Sequence, residues 1–138
     1  MDQVLTIDEV LREYESTCKD NSSSSRGLWC ELKTISYLRE NNYRIIACRP
    51  ILIGIEVDLI AISKSGFVSI VEVKSGGSFW FQKNRISQRQ LGRLRRVVRY
   101  LSKVLKTKVD LKFSLVTDKG RVKLLDEIHF MASRGGIN

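Results

Sequence analysis

Residues 55–74, IEVDLIAISKSGFVSIVEVK, constrain the fold more than any other part of the chain. Two strand-length apolar runs flank SKSG, which has the composition of a tight turn, so the segment reads as a β-hairpin. Four charges interrupt it: Glu56, Asp58, Glu72 and Lys74. Residues i and i+2 of a strand face the same way. Glu56 and Asp58 therefore share a face, as do Glu72 and Lys74, with Val71 and Val73 opposite. In register, the two polar faces coincide. Three carboxylates meeting in a partly buried place must be protonated, paired or bound to a cation. Hard oxygen donors of this kind suit Mg²⁺ or Mn²⁺.

The surroundings of the hairpin fit one mixed α/β domain. The chain has 138 residues, with 43% hydrophobic and 28% charged, as in a globular protein with a core. No apolar run approaches the roughly 20 residues of a membrane helix, and no membrane partner is expected. MDQVLTIDEV carries acidic residues, no basic ones and no signal-like apolar run, so a cytoplasmic location is expected. Cys18, Cys30 and Cys48 are an odd number without C-x-x-C spacing, which points to reduced thiols and away from zinc.

Ile7, Val10, Leu11, Tyr14 and Cys18 follow a helical period and define an N-terminal amphipathic helix. NSSSS (21–25) reads as a linker or cap, so residues 1–25 stand apart from a main domain at 26–130, with a flexible tail at 131–138. The main domain begins with a helix over 26–41. Strands are expected at 43–50, 54–62 and 67–74, then a long helix over 86–106. A further strand covers 109–117, and RVKLLDEIHF (121–130) forms a last one. Leu28, Leu32, Ile35 and Leu38 form the apolar stripe of the first main-domain helix. Glu31 falls between Ile35 and Leu38 in projection, so it points toward the sheet.

An Asp followed after thirteen residues by Glu-x-Lys, with a helical Glu upstream, resembles the PD-(D/E)XK nuclease superfamily. The likeness is closest to its small bacterial branch related to Holliday-junction resolvases, the YraN-like family. The residues that carry it are Gly27, Cys30-Glu31, Thr34, Tyr37-Leu38 and Asn42-Tyr43, then Glu56-Val57-Asp58-Leu59-Ile60 and Val71-Glu72-Val73-Lys74. It covers 27–117. The sequence departs from the pattern at Cys30 and Asn42, where the family favours Gly, and at Ile55, which separates Gly54 from Glu56. It departs again at Gln90, which lies beside the apolar stripe of Leu91, Leu94, Val98 and Leu101 and is the inward residue where the family carries a Lys early in the following helix.

The resemblance implies a restriction-endonuclease-like fold, a central mixed β-sheet flanked by α-helices. It implies a metal-dependent endonuclease acting on DNA phosphodiester bonds, at branched or single-stranded structures, and a homodimer. Asp58, Glu72 and Glu31 would be catalytic and hold Mg²⁺ or Mn²⁺. Lys74 would orient the attacking water and stabilise transition-state charge, with Glu56 and Gln90 in support. A catalytically inactive DNA-binding module on the same fold is the alternative, and a protein-interaction subunit for an acidic partner is a third.

Charge distribution points the same way without the resemblance. The net charge is +9, yet residues 74–108 hold eleven Lys or Arg and no Asp or Glu. The remaining thirteen basic and fifteen acidic residues leave −2. Basicity concentrated in one segment favours a polyanion partner. Arg89, Arg93, Arg96, Arg99 and Lys103 lie on the side of the long helix away from Leu91, Leu94 and Leu101, and Lys83 and Arg85 precede it. All seven are expected to contact nucleic acid. Phe79, Trp80 and Phe81 in SGGSFWFQKNR read as packing or dimer contacts, with base stacking as the other use.

Overall fold

Alternation along the strands divides the apolar residues between two cores, one on each face of a single sheet. The computed structural model describes residues 9, 12, 23–75 and 86–132. Ile7, Val10, Leu11, Tyr14 and Cys18 of the expected N-terminal helix, the segment holding Phe79, Trp80, Phe81, Lys83 and Arg85, and residues 133–138 lie outside the described residues.

The described chain runs α1 (Ser23–Glu40), β1 (Arg44–Cys48), β2 (Ile51–Leu52), β3 (Ile55–Glu56), β4 (Leu59–Ile62), β5 (Val68–Ser75), α2 (Gln88–Leu105), β6 (Val109–Val116), β7 (Val122–Asp126) and α3 (Glu127–Ala132). β1, β4, β5, β6 and β7 form a five-stranded sheet in that order. β5 and β6 are parallel and the other pairs antiparallel. The parallel pair is joined by α2, as a crossover requires. This is the expected α/β class: a central mixed sheet with helices on its faces.

One face carries Leu59, Ala61 and Val71 against Leu28, Ile35 and Leu38 of α1. The opposite face carries Ile60, Val68, Ile70, Leu111 and Phe113 against Leu91, Leu94, Val97 and Leu101 of α2. Successive residues of β4 and β5 thus serve opposite cores, the period-two pattern of a sheet covered on both sides. Phe130 of α3 completes the second core, stacked on Phe113 with ring centroids 4.0 Å apart.

Four sequence expectations change. α1 starts at Ser23, not residue 26, so part of the serine run is helical. The last segment is a strand that turns into a helix at Glu127, where Asp126 accepts a hydrogen bond from the His129 backbone N–H; α3 also extends to Ala132, into the segment expected to be a tail. Val97 replaces Val98 as the fully buried valine of α2. The fourth change reshapes the site. The strand expected over 54–62 is broken, because Ile53 and Gly54 both adopt positive φ and fold β2 back on β3 as a separate two-stranded sheet. Two positive-φ residues in a two-residue loop define the turn that suits a right-twisted hairpin.

Candidate active site

β4 and β5 align with Leu59 opposite Val71. One step further, Asp58 lies opposite Glu72 at the open end of the hairpin. Asp58 has left the strand, and its Oδ2 accepts a 2.7 Å hydrogen bond from the Val73 backbone N–H. That bond fixes the carboxyl against β5. Glu72 is 8% exposed and points to the α2 face with Lys74, as strand parity predicts.

Gln90 joins these two side chains. Its Nε2 donates to Glu72 Oε2 at 2.8 Å, and its Oε1 accepts from Lys74 Nζ at 3.2 Å. Lys74 Nζ is also 3.8 Å from Glu72 Oε2. The first turn of α2 sets the position of Gln90: Ser87 caps the helix, and its hydroxyl accepts from the Gln90 N–H. An amide serves here where a second ammonium would not, since it donates to the carboxyl and accepts from the lysine together.

Asp58 and Glu72 are near enough that each acts on the other's titration, and burial favours a proton held within the pair. Burial pushes Glu72 up to about 9, and the neighbouring Asp58 carboxyl adds to the rise. Burial likewise raises Asp58, against the lowering effects of the Val73 N–H, Glu72, Lys74 and Arg49. A divalent cation would take the place of that proton. Mg²⁺ is commonly held by one or two carboxylates together with substrate phosphate oxygens. The two-carboxylate donor set therefore fits such an ion.

Glu31 points toward the sheet, as its helical phase predicts, and is 7% exposed. It lines a cavity of about 300 Å³ with Asp58, Arg49, Gly27, Cys30 and Val73. Its carboxylate is engaged by Arg49, whose Nε lies 3.2 and 3.3 Å from the two oxygens and whose Nη2 is 3.1 Å from Oε2. Among the described residues, no group of three His, Cys, Asp or Glu side chains is arranged to hold a metal. Glu56 does not join the site: it is exposed on β3, opposite Ile51. The expected convergence of Glu56 with Asp58 required a continuous strand, and the Ile53–Gly54 turn removes it.

Arg49 is the residue that sequence reasoning missed. It sits just beyond β1 with φ 51, a left-handed conformation that costs a non-glycine residue roughly 1–2 kcal/mol. Its backbone N–H donates to the Asp58 carbonyl at 2.8 Å. Arg49 thus ties together Asp58, through its backbone, and Glu31, through its side chain. No local pattern marks it, because its partners are distant in sequence. Cys30 borders the cavity, and burial raises its thiol pKa; burial raises the Cys48 thiol to about 11. Both thiols are free, as expected.

The outer face of α2 holds the basic residues. Arg89, Arg93, Arg96 and Arg99 are exposed and line a shallow groove over Gly92, with Lys103 exposed one turn beyond Arg99. Arg95, at the edge, pairs with Glu127 of α3. Among the described residues, no helix is long and apolar enough to cross a membrane.

A helix-flanked mixed sheet with Asp58, Glu72 and Lys74 at one end of a hairpin is the arrangement that the sequence resemblance to the PD-(D/E)XK class implied. The chain belongs to the family described as Uncharacterised protein family UPF0102, whose sequence model matches residues 30–117. The match falls on the segment that carried the YraN-like resemblance. No curated protein matches the chain. Solved structures similar to it include two of low identity. One is the crystal structure of a repair endonuclease from Pyrococcus abyssi, 15% identical with TM-score 0.46, covering 63% of this chain and 38% of its own. The other is the structure of an EndoMS-dsDNA2 complex, 14% identical with TM-score 0.44, covering 62% and 35%. The matched region thus spans little more than a third of either structure.

Proposed function

We propose that the protein is a divalent-metal-dependent endonuclease that hydrolyses DNA phosphodiester bonds, with branched or structured DNA as its substrate. The observation that carries this reading is the pairing of half-buried Asp58 with buried Glu72, with Lys74 and Gln90 beside them. Two carboxyls forced to share a proton are poorly placed for stability and well placed for a cation. Asp58 and Glu72 would hold Mg²⁺ or Mn²⁺. When bound there, such an ion acts as a Lewis acid toward water and phosphate oxygen. Gln90 holds the Lys74 ammonium beside Glu72, where it orients a water and stabilises negative charge growing on the phosphate. The arginines of α2 bind the backbone of the nucleic acid and set its register without reading sequence.

The test is cleavage of labelled single-stranded, duplex and four-way-junction DNA with Mg²⁺, Mn²⁺ or EDTA. Asp58→Ala and Lys74→Ala serve as controls for contaminating nuclease. Metal-dependent cutting that is lost in both variants is expected, with the four-way junction preferred. Tight binding with no cutting in either metal would replace this reading with a catalytically inactive DNA-binding module on the same fold. Elution as a monomer at assay concentration would remove the homodimer that paired cuts at a junction call for.

A further inference from the structure

The cavity between α1 and the sheet carries a charge arrangement that the metal reading does not use. Glu31 was expected to complete the metal shell. Its two oxygens instead face Arg49, with N···O separations of 3.1 to 3.3 Å. Arg49 is held by two other constraints, its left-handed backbone and its N–H bond to the Asp58 carbonyl. A guanidinium paired with Glu31, on a backbone held left-handed and bonded to the Asp58 carbonyl, lies beside a carboxylate of the candidate active site in a position that is costly to maintain. The Arg49 side chain is 20% exposed at this cavity wall, which places a cation where it is largely withdrawn from solvent.

We infer that Arg49 is a phosphate-binding residue of this site, and that Glu31 serves by holding Arg49 in place of ligating metal. This rests on the nuclease reading for its substrate class, a nucleic-acid phosphate. The guanidinium fork matches phosphate oxygens geometrically, whereas a lysine offers only a point charge. Glu31 engages the Nε and Nη2 edge, which orients the fork in the way a carboxylate partner orients a ligating side chain. The cavity of about 300 Å³ bordered by Glu31, Arg49 and Asp58 is open to solvent and large enough for a phosphate group. The strain at Arg49 is then the cost of aiming a cation at the place where the substrate backbone lies.

Two readouts test the proposal without depending on turnover. The first is Mn²⁺ binding, followed by titration of its spin-resonance signal. Glu31→Gln is expected to leave Mn²⁺ affinity within about threefold, and Asp58→Asn to weaken it by about tenfold or more, the range seen when metal partners are removed. The second is binding of a short labelled duplex in EDTA across a salt series. Arg49→Ala alone strands Glu31 and risks unfolding, so the informative variant is Glu31→Gln/Arg49→Met, checked by its melting curve. It is expected to bind DNA about tenfold more weakly and to lower the salt slope by about 1. Arg49→Lys should keep the slope and recover part of the affinity. A tenfold loss of Mn²⁺ affinity in Glu31→Gln would make Glu31 a metal ligand and overturn the assignment. Unchanged DNA affinity and slope in the double variant would make Arg49 a counter-ion only, as would absence of DNA binding by the wild type. A wild type that binds Mn²⁺ and DNA but cuts neither strand defeats the nuclease reading and leaves the Arg49 assignment to the binding data.

Discussion

Glu72→Gln should stabilise the metal-free protein at neutral pH. Burial raises the Glu72 carboxyl from 4.5 to about 9. A carboxyl whose folded value is raised contributes fully below its unfolded value and loses that contribution as pH rises through the folded one. The window is therefore about pH 4.5 to 9. At about 1.4 kcal/mol per unit, the gap accumulated by pH 7 is roughly 3 kcal/mol. That figure is a ceiling, because Asp58 shares the proton and the cost belongs to the pair. Glutamine removes the ionisation while its carbonyl still accepts from Gln90 and its amide donates to Asp58. A gain of about 1–3 kcal/mol at pH 7 follows, or roughly 3–10 °C in melting temperature for a domain of this size. The gain should vanish near pH 4.5 and grow toward pH 8.5. The assay is thermal unfolding of wild type and variant in EDTA across that range, then at pH 7 with Mg²⁺. Magnesium should raise the wild-type melting temperature and close the gap, since it takes the proton's place. A variant less stable than wild type throughout, or a difference that ignores pH, would refute the shared-proton account.

Three further outcomes are expected. Arg93→Ala/Arg96→Ala should weaken duplex binding and lower the salt slope by about 2, read from binding isotherms between low and physiological salt; a flat salt response in the wild type would remove the electrostatic argument for α2. Phe130→Ala deletes a fully buried ring stacked on Phe113 and should cost about 3–5 kcal/mol in denaturant unfolding, whereas a loss under about 1 kcal/mol would show that α3 is not docked as described. Ile53 is β-branched, exposed and left-handed at φ 47, so Ile53→Asn should stabilise by roughly 1 kcal/mol and leave DNA binding unchanged.

Local pattern carried much of the site. Asp58 and Glu72 were identified from strand parity and spacing, and they meet because parity in a paired hairpin is rigid. Glu31 was placed on the sheet side of α1 by helical phase alone, and Gln90 on the inner edge of α2 by the same reasoning. The basic face of α2 was legible because a helix spreads its polar residues predictably away from an apolar stripe. Glu56 was misjudged for a local reason that the sequence hides: an isoleucine occupies a left-handed position that usually selects Gly or Asn, so the turn at Ile53–Gly54 carries only half its usual signature.

What the sequence by itself determined is therefore the α/β class, the hairpin with its acidic residues, and the concentration of positive charge on one helix. These depend on periodicities of two and 3.6 residues, which act over a few neighbours. Only the tertiary structure decided which carboxylates share a place. It put Glu31 on Arg49 and Glu56 in solvent, and it let Gln90 bridge Glu72 and Lys74. Those outcomes depend on where chain segments many residues apart come to rest. A hydrogen bond or ion pair is set by distances of about 3 Å, and no local pattern specifies distance at that scale.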